Sequence, residues 1–307
     1  MKRSGYCIRS NFGNNYRGLK VASAELRIIN RRIKSVRSTK KITRAMELIA
    51  SSRIVKAQNR MKASETYFGL LSEIVQDLIN NGAVPKVEVQ EGKEKVLLIV
   101  LTSDRGLAGA YNTNVLKIAD NRRKEIEKEG KDVEIVTVGK KATGYFTYRK
   151  INVGADYEGI TDSPEFDNAL DVMTPITEKF YSGSVSSIEI AYTNYKSALT
   201  QDAVIKKILP LDPQEVENKS SVTFEPSGEE VLNSILPKYA NASFFNALLN
   251  GSTSEHAARM RAMKAATDNA EELIKVLAMK SNQARQAEIT TEISEIVGGS
   301  EALSDAS

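Results

Sequence analysis

Few stretches of this chain combine residue types and spacing that could do chemistry. The stretch "SDRGLAGAYN", residues 103–112, follows the apolar run Val96–Leu101 and precedes a helical pattern. A phosphate-binding turn sits in that position in nucleotide-binding folds. A P-loop needs Gly-Lys-Ser/Thr after a four-residue spacer, and none occurs; "GKKAT" at 139–143 lacks both the spacing and the adjacent hydroxyl. The dinucleotide fingerprint needs three glycines and an acid closing the next strand. Here there are Gly106 and Gly109, and the next strand closes on Gly139. The two glycines read as shaping a strand-to-helix turn. His256 is the single histidine and Cys7 the single cysteine, so a multi-His metal site or a Cys zinc cluster is excluded within one chain. Glu271 and Glu272 are adjacent and point in different directions on a helix. No constellation for nucleophilic or acid/base catalysis emerges, and no metal or cofactor is expected.

What remains is charge. Residues 1–62 carry seventeen Lys and Arg against two acids, Glu25 and Glu47, while the whole chain has a net charge of +4. A block this basic calls for an anionic partner: nucleic acid, anionic lipid or an acidic protein surface. Nucleic acid is the weaker reading, because the block has neither aromatic interleaving nor helix-turn-helix geometry. No apolar run approaches the ~20 residues of a membrane span. Residues 1–24 hold five basic residues and no acid. That composition is faintly similar to a mitochondrial transit peptide, and more readily read as a disordered tail or a start placed upstream of Val21.

These residues must be positioned by two long helices and what lies between them. From Ala24 to Asn80 there is no Pro, and Gly69 is the only glycine. Leu26, Ile29, Ile33 and Val36 fall on a heptad seam, which then skips to Ile42, Met46 and Ile49. A helix of that length spans roughly 80 Å. "NNGAVPK" ends it near residue 82. Strand and helix patterns then alternate: strands at 96–102, 132–139, 186–195 and 201–211, with helices at 112–129 and 166–181 and a short one after Gly139. This predicts a small Rossmann-like α/β domain over 90–212. A connection follows at 213–228, then a helix over 229–297 that Pro237 and Gly251 could interrupt, and a tail at 298–307. Met260, Met263, Thr267, Ala270, Ile274, Leu277, Ser281 and Ala284 form its seam, shifting afterwards to Ile289, Ile293 and Ile296. An amphipathic helix needs a partner in water. The expected fold is therefore α/β plus a long antiparallel coiled coil, in which the N- and C-terminal helices form a rod flanking the central domain. Residues 1–23 are a separate extension.

Three long motifs, in order, carry a family likeness: "RRIKSVRSTKKITRAMELIASSRI", "TSDRGLAGAYNTNV" and "AARMRAMKAATDNAEELI" continuing to "NQARQAEITTEISEIVGG". Over about residues 24–300 the chain resembles the gamma subunit of bacterial F-type ATP synthases. The resemblance implies a non-catalytic central-stalk rotor at the cytoplasmic side of the membrane. It would carry torque between the membrane c-subunit ring and the catalytic ring of alpha and beta subunits, beside the epsilon subunit. Membrane association would be indirect, with no nucleic-acid partner and no cofactor. The resemblance also implies ring contacts at Lys41, Arg44, Met46, Arg259, Arg285, Gln286, Thr290 and Glu292, and a foot near the c ring at 223–230. No paired cysteines mark a thiol switch in the middle domain. Two other readings stay open from the residues alone: a nucleotide-dependent enzyme built on the α/β domain, and a basic coiled-coil protein on nucleic acid.

Overall fold

The computed structural model describes residues 15–87, 94–211 and 227–304. Residues 213–226 of the expected connection, and with them half of the foot segment 223–230, lie outside those residues. Two helices, α1 (Asn15–Asn80) and α5 (Gly228–Ser304), bracket β1 (Lys95–Leu101), α2 (Tyr111–Lys128), β2 (Asp132–Val138), α3 (Lys140–Tyr148), β3 (Val153–Tyr157), α4 (Phe166–Tyr181), β4 (Ser187–Tyr195) and β5 (Gln201–Leu209). Both helices outrun their expected limits. α1 begins at Asn15 rather than Ala24, and α5 passes Pro237, Gly251 and the Gly298–Gly299 pair to reach Ser304. Adding a residue to an existing helix fixes one residue per hydrogen bond gained, so isolated glycines do not stop it.

The chain divides into two compact units, and the division is not the expected one at the ends of the sheet domain. One unit holds the described residues up to Met46 and from Met263 onward; the other is Glu47–Ala262. The lower halves of both long helices belong to the sheet unit because they share its core. Leu71, Val75 and Leu78 of α1 and Leu232, Phe244 and Leu248 of α5 cluster with Leu97, Ile99 and Leu101 of β1.

In that unit the sheet has the order β3-β2-β1-β4-β5. β1 pairs parallel with β2 and β4, β2 pairs parallel with β3, and β5 returns antiparallel on β4. β1 reads as a continuous apolar run because it serves two cores. Leu97, Ile99 and Leu101 face one; Leu98 and Val100 face the other, with Val115 and Ala119 of α2 and Phe146 of α3. Each such side chain contributes about 1.5–3 kcal/mol of burial. β3 has no counterpart in the sequence reading. Its segment "VGADY" is short, contains Gly154, and has no fully buried residue to mark it.

In the two-helix unit, α1 and α5 run antiparallel. Thr43 meets Thr267, Lys40 meets Glu271 and Asn30 meets Ser281, advancing in opposite directions along the two helices. Ile33 is buried against a facing seam of Met263, Thr267, Ala270 and Leu277. The register slip expected near Thr39 does not occur. Partial burial continues at unbroken three-and-four spacing through Val36, Lys40 and Thr43, and Ile42 is 59% exposed. A Thr–Thr hydrogen bond of 2.8 Å lets a polar residue hold the seam position. The second shift, to Ile289, Ile293 and Ile296, is likewise absent. Ala284, Glu288 and Glu295 keep the partly covered positions, and Ile293 is 57% exposed.

Candidate functional site

The crevice beyond the carboxyl ends of β1 and β4 is where a sheet of this order would bind a ligand, since the chain leaves β1 in one direction and comes back on its other side. The helix end beside it, at the start of α3, is filled by the chain itself. Asp104 Oδ1 accepts from the backbone N–H of Lys140, the first residue of α3, at 3.1 Å. Thr102 Oγ1 accepts from Ala142 N–H at 2.8 Å. The other Asp104 oxygen takes Gly159 N–H at 3.1 Å and the Thr161 hydroxyl at 2.9 Å. A carboxylate thus occupies the helix end where an anion would otherwise be favoured. Gly139 permits this closeness. Its φ is +97°, and a Cβ there would lie 2.3 Å from the Thr102 carbonyl oxygen. Of the two glycines in the sequence motif, Gly109 has φ +56° and forms the turn; Gly106 has ordinary room around it.

Helix α5 then closes the crevice. At Gly251 an added Cβ would stand 3.0 Å from Leu101 Cδ2 and 3.3 Å from the Tyr111 hydroxyl, so the helix backbone lies directly on the strand end. The polar run Asn250–His256 is buried here and tied to its surroundings. Asn250 Oδ1 accepts from Tyr195 N–H at 3.2 Å, and the Ser252 hydroxyl donates to the Asp162 carbonyl at 3.2 Å. His256 Nε2 lies 3.2 Å from that same carbonyl. Arg53 of α1 holds the Asp162 carboxylate with both oxygens at 2.6 Å. Burial pushes the His256 pKa down, partly opposed by Asp162, so the ring is neutral near pH 7.

Arg259 and Glu255 form the innermost ion pair, one helical turn apart. Glu255 is 1% exposed, and Arg259, which also donates to the Gly106 carbonyl, is 8% exposed. Burial raises the Glu255 pKa; Arg259 counteracts it, and Asp162 and Asp104 add to it. Burial, chiefly, also lifts the Tyr111 phenol well above its ordinary value. These charges are spent on packing α5 across the sheet. The sequence reading passed over Glu255 and weighed His256 only as a metal or catalytic ligand. The signal it lacked was the polar string "NGSTSEH" inside an otherwise apolar helical stretch.

The eight expected contact residues fall in both units. Lys41 and Arg44 are exposed on α1 and Met46 is half-buried, all in the two-helix unit. Arg285, Gln286, Thr290 and Glu292 are exposed on the far part of α5 in the same unit. The Thr290 hydroxyl is turned back onto the Gln286 carbonyl at 2.9 Å. Arg259 belongs to the other unit and is buried with Glu255. Exposed Ile42, Met279, Ile289 and Ile293 were assigned to a seam or passed over, yet they add apolar surface to the same unit.

Comparison with known proteins gives consistent matches. A family model described as ATP synthase matches residues 25–303. The chain is 43% identical over 297 residues to the ATP synthase gamma chain of Streptomyces coelicolor, covering 92% of this chain and 97% of that one. It is 42% identical to the ATP synthase gamma chain of Thermobifida fusca, covering 92% and 98%. Among solved structures, a chain of the Euglena gracilis mitochondrial ATP synthase in rotational state 3 matches with TM-score 0.69 at 17% identity, over 92% of this chain and 96% of that one. A chain from the central stalk and c ring of the Tetrahymena thermophila mitochondrial ATP synthase matches with TM-score 0.56 at 21% identity, over 73% and 99%.

Proposed function

Because the chain belongs to the ATP synthase gamma-chain family, we propose that its two-helix unit is the shaft that turns inside the ring of alpha and beta subunits. It is a subunit of ATP synthase and works as the central-stalk rotor. Three equivalent catalytic sites around a shaft stay equivalent unless something breaks their symmetry. An asymmetric pair of helices does so, since each beta subunit meets a different face. Differential contact favours a different conformation in each, and rotation passes that bias onward. The observation that carries the reading is the surface of the two-helix unit. Apolar Ile42 and Ile293 stand outward with Lys41, Arg44, Arg285 and Glu292, while the buried positions mix small Thr267 and Ala270 with Met263, Ile33 and Leu277. Small seam residues favour close approach of two helices, which suits a bearing. The residues proposed to touch the ring are Lys41, Arg44, Met46, Arg285, Gln286, Thr290 and Glu292, joined by Ile42 and Ile293.

The remaining assignments follow from the family. The sheet unit stands nearer the c ring and the epsilon subunit, and ATP is made on the beta subunits, with this chain doing no covalent chemistry. Among the described residues no helix is long and apolar enough to cross a membrane. Attachment to the cytoplasmic face of the bacterial cell membrane is therefore through the c ring. The α/β domain does not favour the nucleotide-enzyme reading, since α5 lies across the end of β1 and the nucleotide fingerprint is incomplete. Affinity purification of the tagged chain from its native cell tests the assignment. Recovery of alpha, beta and epsilon subunits with ATPase activity is expected. Repeated recovery of the chain without alpha and beta subunits refutes it.

A further inference from the structure

One part of the strand-end crevice is left open by α5. A cavity of about 340 Å³ lies between the first turn of α2, the ends of β4 and β5, and the 258–262 turn of α5. That is the small end of the range for ligand pockets. Its walls are mostly apolar: Ala108, Ala203, Ala258 and the Tyr111 ring. None of its lining residues is acidic.

Three observations give this cavity a preference for negative charge. Arg261 lines it, and its guanidinium is held by the Leu199 carbonyl and the Gln201 side-chain oxygen, which orient the cation without neutralising it. The N-terminus of α2, an 18-residue helix, borders it, and the N-cap is Ala110, which makes no side-chain capping bond. Thr193 also lines it. That residue is 4% exposed, and its hydroxyl has no hydrogen-bond partner. A buried hydroxyl left unpaired is unfavourable, and a ligand oxygen would relieve it.

We propose that this cavity binds a small organic anion, with one oxyanion group near Arg261 and Thr193 and a short apolar body against the alanines and Tyr111. The oxyanion chemistry is shared by carboxylates and phosphomonoesters. The site is independent of the ring contacts proposed above.

The test is calorimetric titration of the purified full chain with sodium hexanoate, hexyl phosphate and inorganic phosphate, with hexanol as the uncharged control. Hexanoate or hexyl phosphate is expected to bind, whichever is tighter naming the oxyanion class, and hexanol to bind at least about ten-fold more weakly. Arg261→Gln is expected to weaken the anion about ten-fold or more, and Thr193→Val about five-fold. The valine variant should melt no lower than the parent, because it removes an unpaired hydroxyl. Circular dichroism checks that both variants fold. No binding of either organic anion at 10 mM, roughly the weak limit for so small a ligand, overturns the proposal. So does hexanol binding as well as hexanoate, or unchanged affinity in Arg261→Gln.

Discussion

The buried pair Glu255–Arg259 sets up a quantitative prediction about how α5 is held on the sheet. Replacing Arg259 with methionine keeps the aliphatic bulk and removes the charge. The Glu255 carboxylate, 1% exposed, is then left without its cation, and its Oε2 already has no partner in the parent. Breaking one side of a buried pair costs about 3–5 kcal/mol. With a urea slope of about 2.5 kcal/mol per molar, a loss of about 4 kcal/mol lowers the unfolding midpoint by roughly 1.6 M at pH 7.5. The chain has no Trp, so near-ultraviolet circular dichroism of the tyrosines reports the transition. The pH dependence gives the sign. Burial already raises the folded Glu255 pKa, and Arg259 restrains that rise. Without Arg259 the folded pKa climbs further above its unfolded value. The folded variant then binds a proton that the unfolded chain does not, so its stability falls as pH rises through that window and recovers on acidification. From pH 7.5 to 5.5 the deficit relative to the parent shrinks by up to about 2.7 kcal/mol. Arg259 also helps to hold the His256 pKa down, so its removal lets that ring take a proton more readily on acidification and adds to the same recovery. Adding Glu255→Gln to the methionine variant should bring stability back to within about 2 kcal/mol of the parent at pH 7.5. A methionine variant within 1 kcal/mol of the parent, or a deficit that is the same at both pH values, refutes the reasoning.

Other perturbations separate the remaining claims. Gly139→Ala places a Cβ 2.3 Å from the Thr102 carbonyl at φ +97° and should cost more than about 3 kcal/mol, whereas Gly144→Ala, with nothing within 4 Å, should gain about 1 kcal/mol; urea midpoints of the two variants check the contrast. Ala270→Leu crowds the seam between α1 and α5 and should cost about 1–3 kcal/mol, seen as earlier loss of helical ellipticity on heating. Met46→Lys adds a charge on the proposed bearing surface. An extra ion pair of about 1 kcal/mol with an acidic neighbour would slow turning about five-fold, lowering ATP synthesis in membrane vesicles while assembly is unchanged. Unaltered synthesis would count against the contact.

The apolar run at Val96–Leu101, the alternation after it and the long helical stretches with few glycines and prolines made the fold class legible, because period and burial are local properties of a sequence. The three long motifs made the family legible. Less visible was the part each long helix plays along its length. Hydrophobicity placed Ile42 and Ile289 in the seam, yet the structure puts Thr43 and Glu288 nearer it and turns the isoleucines out. In a two-helix pair the seam follows the fixed three-and-four spacing, and a hydrogen bond such as Thr43–Thr267 is enough to keep a polar residue in register.

By itself the sequence determined the elements, their order and the absence of a complete nucleotide fingerprint. Only the tertiary structure decided that Asp104 caps α3, that α5 lies across the strand ends at Gly251, and that Arg259 is buried against Glu255. Those outcomes depend on residues far apart in the chain, such as Asp104 with Lys140 and Arg259 with Gly106, meeting in space. A local pattern cannot encode such a meeting, because the burial that changes a charge's role is supplied by the other elements packed around it.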